Sequence, residues 1–160
     1  MVSDIETRLR LVEDRLEILN LEGLYAETWD FGDADGWAAL FTDDGVFEML
    51  SPTGEVTRTV AGTADLTAFC EDLNRTFQGL HLIHAPRVTL DGDIASAHIQ
   101  FTFEAHRAHD LGFDQTSVTD AYSVLYVRTT AGWRMKRRVE RAMNRNSRTA
   151  HPGSFALRPV

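Results

Sequence analysis

The stretch from Gly79 to Ala105 restricts the possible folds more than any other part of the chain. It reads Gly-Leu-His-Leu-Ile-His-Ala-Pro, an apolar run to Leu90, the turn Asp91-Gly92-Asp93, and a second strand-like run from Ile94 to Ala105. Two such runs joined by a short Asp-Gly turn spell a β-hairpin, since glycine supplies the positive φ that tight hairpin turns require. The hairpin sets His81 at the start of its first strand and Glu104 near the end of its second, and in an antiparallel pair those ends are neighbours. A histidine beside a carboxylate is a candidate acid-base pair. Taken alone it carries little weight, because a single histidine at a strand start is more often a hydrogen-bonded structural residue.

The segments on either side supply helices and more strands. Ser3 and Glu6 fit a capping box, so a first helix starts near Asp4. Its residues Ile5, Leu9, Val12, Leu16 and Leu19 alternate spacings of four and three and line one apolar face, which Leu24 and Tyr25 prolong toward Trp29. Gly32 stops it, and Asp33 caps a short helix from Ala34 to Phe41 that buries Trp37 and Leu40. Thr42-Asp43-Asp44-Gly45 is a turn, followed by a strand from Val46 to Leu50; Ser51-Pro52-Thr53-Gly54 turns the chain into a second strand, Glu55 to Val60. Thr63 caps a third helix carrying Leu66, Phe69, Cys70, Leu73 and Phe77, with Cys70 as a small packing residue. After the central hairpin, Arg107 to Gln115 reads as a loop. Thr116 to Arg128 and Trp133 to Val139 make the last hairpin, and residues 144–160 a polar tail.

Three helices and about six strands, the strands mostly consecutive, describe an α+β domain: a curved, mostly antiparallel six-stranded sheet wrapped on the helices as a cone-shaped barrel with a deep pocket. A chain of 160 residues makes one such domain, here residues 1–143, with 144–160 as a C-terminal tail. The net charge of -8 argues against a nucleic-acid partner, whose phosphates need clustered basic charge. Arg134, Lys136, Arg137, Arg138 and Arg141 form one local basic cluster, read as a solvated strand face. The sequence shows no signal core and no membrane-length apolar run, so a cytoplasmic location with no membrane partner is expected.

Several motifs together resemble a SnoaL-like protein of the nuclear-transport-factor-like cone superfamily: Tyr25-x4-Asp30, Gly32-Asp33-x-Asp35-Gly36-Trp37, Phe41-Thr42-Asp43-Asp44-Gly45, His81-x4-Pro86, Leu90-Asp91-Gly92-Asp93-x-Ala95 and Gly132-Trp133-Arg134. The resemblance covers roughly residues 4 to 142 and lies nearest the scytalone dehydratase and bile-acid dehydratase branch. It implies a catalytic set of Tyr25, Asp30, His81 and Glu104, with Glu104 one methylene longer than the aspartate of the bile-acid enzyme. It also implies a pocket tyrosine at Tyr122, and an arginine of the last strand for which Arg141 is the nearest counterpart, its spacing from Trp133 off by one. Val124 replaces an aspartate common among relatives. Trp29 and Phe47 complete the expected substrate-binding residues.

These residue types suit chemistry without a cofactor. An aspartate against one imidazole nitrogen fixes the tautomer and leaves the other to take a proton next to a carbonyl, while a tyrosine donates to the developing enolate oxygen. Tyr25 and Asp30, five residues apart, stand about 140° apart around a helix, so they flank one side. The expected function is a cofactor-independent lyase or isomerase acting on a hydrophobic polycyclic, steroid-like or polyketide-like molecule. A SnoaL-type polyketide cyclase and a non-catalytic binding module are the alternatives. No metal is expected, since His81 with His84, or His106 with His109, lack the spacing of a metal motif. A homodimer or higher homo-oligomer is expected through the outer sheet face. One tension stands in the sequence. Strand alternation puts Glu104 on a face with His98, Gln100, Thr102 and His106, opposite Ile99, Phe101 and Phe103, and a pocket can line only one of the two.

Overall fold

In the computed structural model, which describes residues 4–109 and 112–150, the elements run α1 (Asp4–Asp30), α2 (Ala34–Ala38), β1 (Phe41–Leu50), β2 (Val56–Ala61), α3 (Thr63–Thr76), β3 (Gln78–Ile83), β4 (Arg87–Asp91), β5 (Ile94–His109), β6 (Gly112–Thr129) and β7 (Gly132–Ala150). The strands form one sheet in the order β2-β1-β7-β6-β5-β3, with β4 also on β5. Neighbours are antiparallel except β1 and β7, which run parallel and make the sheet mixed. The helices pack against one face of this curved, unclosed sheet.

The central hairpin forms with β5 as its long arm, and its short turn carries Gly92 at φ 60°. Its first arm is broken in two. His84-Ala85-Pro86 interrupts it, because proline has no N-H to give a ladder, so β3 and β4 pair with successive parts of β5 and the strand count is seven where six were expected. Gly79 lets β3 approach closely: a Cβ there would stand 2.5 Å from the Glu104 carbonyl oxygen and 2.6 Å from the Phe103 ring. The segment expected as a loop before Gln115 instead extends both strands, with His109 opposite Gly112. Asn144 to Ala150, assigned to the tail by composition, continue β7 alongside β6. Residues 151–160, like Ser3 of the expected capping box, lie outside the described residues.

Two helix details differ from expectation. Thr63 is the first residue of α3 and makes no side-chain cap; Gly62, at φ 83°, holds the N-cap position. In α1 the stripe Ile5, Leu9, Val12, Leu16 and Leu19 faces outward, with Ile5 72% and Leu16 59% exposed. The face turned to the sheet is Asp14, Ile18, Leu21, Glu22, Tyr25 and Trp29. Two acids on the buried face misdirect an apolar-pattern reading, and both are buried because they have partners. Asp14 accepts from the Trp133 indole N-H and pairs with Arg128, while Glu22 pairs with Arg138.

Aromatic rings fill the space between the end of α1, α2, α3 and β1. Trp37 is fully buried against Tyr25, Trp29, Phe41, Phe47 and Phe69. Asp33 caps the short α2 beneath it by accepting from the Gly36 N-H. Burying such rings contributes about 1.5–3 kcal/mol each from apolar area alone, which fixes the end of α1 relative to the sheet. No helix among the described residues is long and apolar enough to cross a membrane.

Candidate active site

Asp30 is the last residue of α1, and β3 passes directly beside it. The two carboxylate oxygens divide the work: Oδ2 accepts the backbone N-H of His81 at 2.8 Å, and Oδ1 lies 2.6 Å from His81 Nδ1. Both side chains are only 6% exposed. A carboxylate at 2.6 Å from Nδ1 fixes that nitrogen as the N-H donor, so Nε2 carries the lone pair. Nε2 points toward Tyr122, whose hydroxyl stands 3.5 Å away. Phe101 and Phe103 flank the imidazole at ring-centroid distances of 5.7 and 4.6 Å, and the edge-on Trp29 and Tyr25 rings close its other sides.

These rings line a cavity of ≈ 230 Å³. Trp29, Phe47, Phe69, Phe101, Phe103 and Val118 form its apolar wall, and the polar groups that reach it include Tyr25, His81, Tyr122, Glu140 and Arg145. Of the expected site residues, Asp30 and His81 meet, while Tyr25, Tyr122, Trp29 and Phe47 face the same space. His84 is exposed.

Glu104 is placed elsewhere, which corrects the expectation that it belongs to the site. His81 stands opposite Phe103 and Leu80 opposite Glu104, so the alternation of β5 turns Phe101, Phe103 and Ala105 inward and Glu104 to the other face. There Ser117 and Gln115 donate hydrogen bonds to it. Arg141 is likewise exposed and not among the cavity-lining residues.

The cavity's carboxyl Glu140, and the buried cation Arg138 beside it, come from β7 through a change of strand phase. Tyr126 pairs with Met135 and Leu125 with Arg137, leaving Lys136 as an extra residue in β7. A one-residue bulge exchanges the two faces of a strand from that point on. Trp133 and Met135 point inward before it; Arg138 and Glu140 do so after it. Arg138, expected on a solvated face, is therefore 0% exposed. Its Nη1 donates to both Glu22 oxygens at 2.9 Å, Tyr126 donates to Glu22 at 2.6 Å, and its guanidinium lies 3.6 Å from the Tyr25 ring centroid and 3.7 Å from that of Tyr122. Burial alone would lower the Arg138 pKa, but the Glu22 carboxylate beside it raises it above its ordinary value, so the guanidinium stays charged.

That cation sits beneath the two tyrosines. Burial holds the hydroxyls of Tyr25 and Tyr122 well above the usual phenol range, so both are protonated, and they are hydrogen-bonded to one another. The arrangement offers a fixed imidazole lone pair, neutral phenolic hydroxyls and an aromatic wall. Glu140, Arg138 and Arg145 carry no motif that marks them in sequence; the β7 bulge is the missing information.

A curved sheet packed by helices around a histidine-bearing cavity defines the class, an α+β cone protein. The chain belongs to the SnoaL-like domain family, whose model matches residues 10–139. Among solved structures it is similar to an NTF2-like protein with a cystatin-like fold from Novosphingobium aromaticivorans, at 27% identity over 98% of this chain and 95% of that one, with a TM-score of 0.72. A candidate scytalone dehydratase from the same organism is 19% identical over 94% of this chain and 99% of that one, with a TM-score of 0.75. A type 2 hexachlorocyclohexane dehydrochlorinase is 13% identical over 94% and 99%, with a TM-score of 0.78. The latter two likenesses bear on the fold. No protein of curated function matches by sequence.

Proposed function

We propose that this protein is a cofactor-independent lyase or isomerase that removes a proton next to a carbonyl, with His81 as base and Asp30 as the group that positions it. The observation that carries this reading is the 2.6 Å contact of His81 Nδ1 with Asp30, which leaves the Nε2 lone pair at the edge of an aromatic cavity, facing the Tyr122 hydroxyl. Proton transfer by a positioned side chain needs a fixed lone pair and a place for the reacting carbon beside it. The neutral hydroxyl of Tyr25 would donate to the substrate oxygen as enolate charge develops, with Tyr122 donating to Tyr25 and buried Arg138 strengthening the donor through its positive charge. Structures named for a dehydratase and a dehydrochlorinase share the fold, and both names denote eliminations.

Cavity size narrows the substrate. A dry protein cavity of about 150 Å³ holds benzene. At ≈ 230 Å³ this one suits a one- or two-ring carbonyl compound more than a steroid. The test is exchange of the α-protons of α-tetralone in heavy water, followed by NMR. The protein should catalyse exchange, and His81→Ala should reduce it to the uncatalysed rate while leaving the melting temperature within a few degrees. Saturable binding of α-tetralone without exchange would make the chain a binding module and end the enzymatic reading.

A further inference from the structure

Glu140 lies opposite Tyr122 in the β6–β7 register and lines the same cavity as His81. Asp120, two residues before Tyr122 on the inward face of β6, is 2% exposed, and its side chain is hydrogen-bonded to that of Glu140. Two carboxyl groups can share a hydrogen bond only when one of them keeps a proton. Asp120 is held as the acceptor. Its Oδ1 takes the backbone N-H of Met143 at 2.7 Å and of Asn144 at 3.4 Å, at a second irregularity of β7, between Thr119 and Ala121 in the pairing. These backbone N-H groups already occupy Asp120 as an acceptor, which leaves Glu140 as the carboxyl that donates. Burial, then the Asp120 charge, push Glu140 up from 4.5 to about 8, against the opposing pull of Arg138 and Arg145. Tyr25 from α1 and Tyr122 from β6 also face it, both neutral.

We propose that Glu140 is the acid of this cavity, a neutral carboxylic acid that protonates the departing hydroxyl of a β-hydroxy carbonyl substrate with one or two rings. The proposal rests on the base role of His81 and makes the reaction a dehydration. His81 Nε2 takes the α-proton, and the C-H electron pair becomes the new carbon-carbon double bond. The bond from the β-carbon to oxygen breaks with its pair, and the proton of Glu140 completes a water molecule. Nothing is oxidised or reduced. Glu140 is left as an anion beside anionic Asp120, and repulsion between them favours its reprotonation, which discharges the imidazolium through solvent.

The experiment uses β-hydroxy-α-tetralone, which loses water and tautomerises to fluorescent α-naphthol, alongside the α-tetralone exchange assay. Glu140→Gln keeps the shape of a neutral acid and its donation to Asp120 but has no proton to give. Dehydration by this variant should fall on the order of 10²-fold or more, far more than exchange does. In protein carrying carbon-13 in its glutamate carboxyls, a carboxylic-acid signal present at pH 7 and titrating near 8 should vanish in Glu140→Gln. Stability supplies a third readout. The folded state keeps the proton up to about 8 and the unfolded chain only to about 4.5, so the wild type loses stability as pH rises through that window, and the variant should not. Dehydration by Glu140→Gln within a few-fold of wild type, or no neutral glutamate signal at pH 7, overturns the proposal. Absence of exchange by the wild type overturns the base reading of His81 instead, and the dehydration mechanism with it.

Discussion

Arg137 and Arg138 are adjacent in sequence and meet opposite fates. Arg137 stands 53% exposed at the side chain and pairs with Glu48 across β1; Arg138 is sealed between two tyrosine rings with its charge on Glu22. In a regular strand neighbours always part to opposite faces, so the difference itself is no surprise. Which of the two turns inward is decided by the extra residue at Lys136, and a strand without that bulge would bury Arg137. The same contrast separates Glu104, hydrogen-bonded on the outer face, from Glu140, which shares a proton beside the cavity. Chemistry follows the face and not the residue type.

Substitutions can break or sharpen this contrast. The largest effect on activity is expected from Asp30→Asn. Its carbonyl oxygen would keep the backbone N-H of His81 and present an amide N-H to Nδ1, forcing the proton onto Nε2 and removing the lone pair. Turnover should fall on the order of 10⁴-fold with little change in melting temperature. On stability, Arg138→Met should cost about 3–5 kcal/mol by denaturant titration, because the Glu22 carboxylate is left buried without its cation; adding Glu22→Leu should recover much of the loss. Tyr25→Phe should raise the activation barrier by about 2–4 kcal/mol as a lost oxyanion donor, visible in kcat at saturating substrate. The outer-face changes come last. Arg137→Ala should shift stability by no more than about 1 kcal/mol, and Glu104→Gln should leave turnover within a few-fold of wild type. A Glu104→Gln enzyme that loses activity as Asp30→Asn does would dissolve the distinction between the two faces.

Much of the local structure was legible in the chain. The Asp91-Gly92-Asp93 turn marked a hairpin and Asp33 marked the start of α2, although that helix ends at Ala38 and not at Phe41. The motif positions of Tyr25, Asp30 and His81 named residues that meet in space, because Asp30 ends α1 and β3 passes directly beside it. The outward apolar stripe of α1 shows where such reading fails. Five apolar residues at helical spacing looked like the core face, yet the helix is rotated to bury Asp14 and Glu22.

Composition, periodicity and turn chemistry are properties of a few consecutive residues, and with them the sequence settled the α+β class and the turn of the central hairpin, while the histidine–aspartate pair followed from the family resemblance. Burial of a charge depends on a partner. The partner of Glu22 lies 116 residues away, on a strand whose phase is reset by a single unpaired residue. Only the tertiary structure decided that Arg138 and Glu140 turn inward and Glu104 outward, because a bulge reverses the faces of a strand, and the side chains it buries are stabilised by groups that the chain brings together only on folding.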